Sequence, residues 1–209
     1  MTDKDAQYDR GAERWTEEAY ADPASYLARR ARFVVELGPP LRPGDRVLDL
    51  ACGDGGLGAH LLGCGLAYTG VDLSEPMVAA ARRRLGDRAR IEQGDLNVYE
   101  PPEPVAATTV FRAIYYAHDR LAFLRRAAGY TERKLVFDLN PRQYALDAVT
   151  RDLRAAGFGR IDVRPFFTPQ TRALPRPVGA ALAAAERSGP LARLALRVRF
   201  TYLVAASKS

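Results

Sequence analysis

Cysteine, methionine and histidine are scarce in this chain of 209 residues, with two of each and a single tryptophan. Two cysteines, Cys52 and Cys64, cannot build a disulfide framework, and two histidines supply no cluster with metal-ligand spacing. The cysteines are expected to be small buried hydrophobes, and no protein-bound metal is expected. No apolar run reaches the ~20 residues of a membrane span. The opening Met1-Thr2-Asp3-Lys4-Asp5 lacks the basic-then-apolar profile of a signal peptide. The expectation is a cytoplasmic protein. Internal repeats and long low-complexity tails are also missing. What is present is 47% hydrophobic content, enough to fill the core of a single domain over residues 1–209.

The net charge of +6 is unevenly spread. From Arg160 onward there are nine Lys/Arg and only two acids, Asp162 and Glu186, whereas the rest of the chain is nearly neutral. A basic surface suits an acidic substrate, nucleic acid or an anionic membrane; an arginine-rich composition with solvated side chains explains it equally well.

The most informative stretch is Arg46-Val47-Leu48-Asp49-Leu50-Ala51-Cys52-Gly53-Asp54-Gly55-Gly56-Leu57-Gly58. A short apolar run reads as a buried strand, breaks at a glycine-rich turn and passes into a helix from Leu57 to Leu62. Such a turn lets backbone approach a ligand, and the helix start behind it offers unpaired N–H groups. A second strand, Tyr68 to Val71, ends at Asp72, placed to accept from both ribose hydroxyls of a nucleoside. Gly53, Gly55 and Gly58 fit the dinucleotide spacing, but Asp49 inside the first strand would repel a pyrophosphate and attract an ammonium or sulfonium. Arg90 to Gln93 reads as a third strand leading into Gly94-Asp95-Leu96. There Asp95 can accept from the adenine amine and Leu96 can cover the ring.

The run Val47 to Gly55 resembles the first motif of class I S-adenosylmethionine-dependent methyltransferases. The resemblance continues through Gly70-Val71-Asp72-Leu73-Ser74 and Gln93-Gly94-Asp95-Leu96, over roughly Asp45 to Asn140, with Ala51 where that family more often has glycine. It implies S-adenosyl-L-methionine as cofactor, with contacts from Ala51, Cys52, Gly53, Leu73, Phe111 and Arg112 besides Asp49, Asp72, Asp95 and Leu96. It also implies an α/β fold: a Rossmann-like, doubly wound, seven-stranded sheet, mostly parallel with an antiparallel last strand, and a helical N-terminal lid. Alternating strands and helices agree with the parallel part. Further strands are expected at Val105 to Arg112, Lys134 to Leu139, Arg160 to Phe166 and Phe200 to Ala206, with helices at Glu75 to Leu85, His118 to Ala128 and Gln143 to Ala156.

Residues 1–40 form the expected lid, 41–166 the cofactor-binding core and 167–196 an insertion before the last strand. Pro23 is expected to break a helix and Ser25 to cap the next, Tyr26 to Leu37. Trp15, Tyr20 and Tyr26 are candidate lid residues, with Tyr26 at the cofactor. Arg30 is the candidate partner of the cofactor carboxylate, with Arg29 and Arg32 as competitors. The acceptor region is Phe111 to Asp119. It lacks the Asn/Asp-Pro-Pro-aromatic signature of similar amine- and base-methylating enzymes, and Tyr115 and Tyr116 stand where many small-molecule relatives have paired histidines. His118 is a candidate base, or else a helix-start residue that merely caps; Tyr115 is a candidate wall of the acceptor pocket. Phe166, Phe167 and the Pro-rich insertion are expected to close that pocket, with Arg172 or Arg176 meeting an anionic group. The reading is methyl transfer to a small molecule, anionic, aromatic or lipid-like. Nucleic acid is disfavoured without an RNA-binding module, an oligomer is left open, and the alternatives are an RNA methyltransferase or a non-catalytic S-adenosylmethionine-binding protein.

Overall fold

The computed structural model describes residues 12–187 and 201–208. Seven strands form one sheet in the order β3-β2-β1-β4-β5-β7-β6. They are β1 Arg46–Leu50, β2 Ala67–Asp72, β3 Arg90–Gln93, β4 Val105–Val110, β5 Thr131–Leu139, β6 Arg160–Phe166 and β7 Thr201–Ser207. Strands β1 to β5 pair in parallel, while β7 inserts antiparallel between β5 and β6. The helices are α1 Trp15–Ala19, α2 Pro23–Glu36, α3 Gly56–Gly63, α4 Glu75–Leu85, α5 Arg120–Tyr130, α6 Leu146–Ala155 and α7 Arg176–Arg187. Among the described residues no helix is long and apolar enough to cross a membrane.

Helices cover both faces, so the central strands are buried on both sides, and every residue of β4 is buried. One core lies beneath α2, α3 and α4, where Val34, Leu61 and Ala81 meet Val47 and Val136 of the sheet. The other lies beneath α5 and α6, where Phe123, Leu124 and Leu153 meet Leu48 and Phe137. Strand order reverses between β1 and β4, and there the carboxyl ends of the strands leave an open crevice.

Several expected boundaries move for local reasons. Pro23 starts α2 instead of breaking a helix, since its fixed φ suits the first turn and Asp22 accepts from Ser25 N at 3.1 Å. Ser25 is therefore the donor in the cap, not the cap. Asp119 caps α5 by accepting from Ala122 N, which leaves His118 just outside the helix. Strand β4 ends at Val110, and Phe111 and Arg112 form a sharp turn in which Arg112 has φ 56°. The last strand runs from Thr201; Phe200 lies outside the described residues, as do 188–196 of the insertion.

Candidate active site

The glycine loop after β1 takes its shape from backbone conformations that few residues adopt cheaply. Ala51 lies at φ 57° and Gly55 at φ 77°, both in the left-handed region. That explains why glycine suits position 51 in similar proteins; here alanine carries the strain. Gly58 meets a different demand, because a Cβ there would stand 2.6 Å from the Tyr68 ring. Helix α3 thus packs directly on β2.

Carboxylates organise the loop. Asp72, at the end of β2, accepts from Gly53 N at 2.8 Å and from Ser74 N at 3.0 Å, tying the first turn to the second. Asp54, which the sequence reading left without a role, is 2% exposed and accepts four hydrogen bonds: Thr16 N (3.0 Å), Thr16 Oγ1 (2.6 Å), Gly56 N (3.2 Å) and Arg84 Nη2 (2.8 Å). Through Thr16 it fastens α1 onto the loop. An acid between glycines was the only signal for it.

Asp49, buried inside β1, accepts from Tyr68 Oη at 2.8 Å and Thr109 Oγ1 at 2.6 Å. Burial raises its pKa from 3.8 to about 6, against the lowering effect of those two bonds. Burial also pushes the Cys52 thiol well up, so Cys52 is an inert apolar wall. Asp95 accepts from Asn97 N and Nδ2 through Oδ1, both at 2.8 Å; Asn97 in turn accepts from His118 N at 2.9 Å. A short hydrogen-bonded chain therefore links the end of β3 to the loop after β4.

Behind that loop stands Asp138 of β5, also missed from sequence. Its Oδ1 accepts from Arg112 N at 2.6 Å and its Oδ2 from Arg30 Nη2 at 2.5 Å. The Arg30 guanidinium lies 4.8 Å from the Tyr26 ring centroid and 4.7 Å from that of Phe111, and also donates to Tyr26 Oη at 2.9 Å. An acid one residue before the end of a strand, four residues after a lysine, was a weak signal.

These groups surround one cavity of about 700 Å³ under the lid. The expected cofactor contacts other than Tyr26 line it, as do Tyr115 and His118; Arg29 and Arg32, the competitors of Arg30, do not. Tyr26 is buried, stacks on Tyr20 with centroids 4.4 Å apart and meets Phe166 edge-on, so it supports the lid from behind. Trp15 and Tyr20 do face the cavity, as lid residues should. Tyr115 and Tyr116 sit on a single 3-10 turn, each 42% exposed, with rings 4.4 Å apart, and His118 is exposed beside them.

Among the described residues, no part of the insertion lines this cavity. Phe166, Phe167 and Arg172 are absent from its walls; the Arg176 side chain lies outside the described residues. The buried carboxylate of Glu186 in α7 accepts from Phe167 N at 2.7 Å and pairs with Arg29, drawing the insertion onto α2 and β6. Gln170 of the insertion also reaches α1 and its link to α2, accepting from Ala21 N at 2.9 Å through its backbone oxygen and donating to Ala19 O at 3.0 Å. It braces the joint between α1 and α2.

A glycine loop, acids near the ends of adjacent parallel strands and N-terminal helices over the switch point make up a Rossmann-like fold that the chain shares with solved methyltransferases. Residues 47–134, the stretch that builds most of the cavity, match the family described as "Methyltransferase domain". A curated relative, an uncharacterised methyltransferase of Geobacillus sp. (strain WCH70), is 34% identical over 79 residues. That match spans 37% of this chain and 37% of that protein. Similar solved structures share the fold over nearly the whole chain. A TehB-like methyltransferase from Corynebacterium glutamicum has TM-score 0.67 and 16% identity, covering 98% of this chain and 99% of that one. A Haloferax volcanii methyltransferase complexed with the activator Trm112 has TM-score 0.66 and 20% identity, covering 99% and 98%. Phosphoethanolamine N-methyltransferase 2 of Haemonchus contortus has TM-score 0.66 and 21% identity, covering 96% and 57%.

Proposed function

We propose that this chain binds S-adenosylmethionine and transfers its methyl group to a small-molecule acceptor. The observation that carries the reading is the convergence of Asp49, Asp72 and Asp95, from the ends of three adjacent strands, on one lidded cavity. The donor set fits the cofactor. Asp72 stands at the cavity wall at the end of β2, where a carboxylate suits the two hydroxyls of a ribose. Asp95 Oδ2 has no hydrogen-bond partner among the described residues and can accept from an adenine amine, with Leu96 and Leu73 beside the ring. Arg30 and Asp49 face the cavity as a cation and an acid, complementary to a carboxylate and an ammonium on one carbon.

Held by Asp49, Asp72, Asp95 and Arg30, the cofactor would supply a methyl group already activated by its sulfonium. The chain's own residues position the partners in line and exclude water. Trp15 and Tyr20 roof the cavity with aromatic faces, which suit a positive sulfur better than bare cations do. His118 and Tyr115 line the cavity, which supports assigning His118 the proton of an acceptor hydroxyl and Tyr115 a wall of the acceptor pocket. The phosphoethanolamine N-methyltransferase neighbour supports a small-molecule acceptor by analogy of fold. Labelled S-adenosylmethionine with fractionated metabolites and, separately, total RNA tests this. Label in a small-molecule fraction supports it; label confined to RNA, or cofactor binding without any transfer, overturns it.

A further inference from the structure

We propose that the Arg112 side chain receives an anionic group, a carboxylate or phosphate, on the acceptor. This rests on the methyltransferase reading above and adds the acceptor's charge. Two arginines stand on the cavity wall, and they differ in compensation. Arg30 is ion-paired with Asp138. Arg112 has no carboxylate within ion-pair reach among the described residues, since its link to Asp138 is through the backbone N–H. Its guanidinium lies 5.6 Å from the Trp15 ring and 5.7 Å from the Tyr20 ring, and its Nη1 is buried without a hydrogen-bond partner. A half-buried guanidinium that meets Tyr20 but leaves Nη1 buried and unpartnered, with no counter-ion among the described residues, offers a site for an anion from the ligand side.

The backbone supports the same assignment. Arg112 sits at φ 56°, a conformation costly for any residue but glycine, and Asp138 holds it there. Strain of this kind, maintained by a half-buried carboxylate beside a cavity, aims a side chain.

The cofactor has its own match. Its amino-acid end carries both charges, and Arg30 with Asp49 offers both complements on the wall. A lone cation fits a lone anion. Arg112 also lies at the turn that leads into Tyr115 and Tyr116, the acceptor side, and the cavity has more room than a nucleoside-sized ligand fills. Arg172 is away from the cavity and the Arg176 side chain lies outside the described residues, whereas Arg112 is on the cavity wall.

The test uses protein saturated with S-adenosylhomocysteine, whose binding is measured first by calorimetry. Benzoate and phenyl phosphate are then titrated against neutral benzamide. The proposal expects both anions to bind the loaded protein roughly tenfold or more tightly than benzamide, a preference that Arg112→Gln abolishes and Arg112→Lys partly keeps. On wild-type protein, the arginine side-chain N–H resonance missing from Arg112→Lys should shift with benzoate and not with benzamide, a readout independent of how the Gln variant folds. Anions that displace S-adenosylhomocysteine, an absent anion preference, or a preference surviving Arg112→Gln overturns it. Failure of S-adenosylhomocysteine to bind at all sinks the cofactor reading itself, and is seen before any anion is added.

Discussion

Asp49 and Lys134 are two buried ionisable side chains on neighbouring parts of the sheet, and their environments push them in opposite functional directions. Asp49 faces the cavity with its pKa raised to about 6 by burial. An ammonium placed beside it favours the ionised form, so cofactor binding releases a proton below about pH 6. S-adenosylhomocysteine should therefore bind roughly tenfold more tightly at about pH 7 than at about pH 5. Asp49→Asn should flatten that dependence, and calorimetry at both pH values checks it. Lys134 is fully buried on β5 and donates to Val35 O at 3.1 Å and Leu37 O at 2.7 Å, closing the end of α2. Burial lowers its pKa from 10.5 to about 7. Between about pH 7 and 8.5 the unfolded chain then holds more protons than the folded one, so stability rises with pH there, by up to about 1.4 kcal/mol per unit. Urea unfolding across that window should show the rise in wild type and lose it in Lys134→Met; an unchanged slope in the variant would assign the rise to another group.

At the level of elements, the lid is joined to the cofactor loop by Asp54, with Thr16 as its bolt and Arg84 as a second clasp. Arg84 also pairs with Glu17 of α1 at 3.0 Å, so lid, loop and α4 meet at one point. Thr16→Val keeps the backbone bond to Asp54 and removes the 2.6 Å hydroxyl bond. A hydrogen bond to a charged group contributes about 1.5–3 kcal/mol, so amide exchange in α1 should speed up by roughly tenfold or more. Unchanged exchange in α1 would mean that packing of Trp15 and Leu27 alone holds the lid. The first five strands and the acids Asp49, Asp72 and Asp95 near the ends of the first three were legible because periodicity and strand-end motifs are local. Asp54, Asp138 and the displacement of the insertion were not, because each depends on partners 26 to 38 residues away or more: Thr16 for Asp54, Arg112 and Arg30 for Asp138, Arg29 for Glu186. The antiparallel place of β7 likewise came from resemblance, since no periodicity says which strand a last strand joins. Pro23 was misread because the same fixed φ that stops a helix also starts one.

For the whole molecule, the basic residues beyond Arg160 whose side chains are described, Arg160, Arg164, Arg172 and Lys208, do not line the cavity. Arg160 pairs with Asp162 at 2.8 Å, and Arg164 lines a smaller groove between α2, β6 and α7, not the crevice. The cavity's chemistry is instead set by three strand-end acids and two arginines of unequal compensation, all on the switch-point side of the sheet. The measurement that bears most directly on this account is calorimetric titration of S-adenosylhomocysteine into wild-type protein and Asp72→Ala. The account predicts saturable one-to-one binding that Asp72→Ala weakens by about 1–3 kcal/mol, the contribution of hydrogen bonds to a charged group. Equal affinity in the two proteins, or no saturable binding in the wild type, would contradict it.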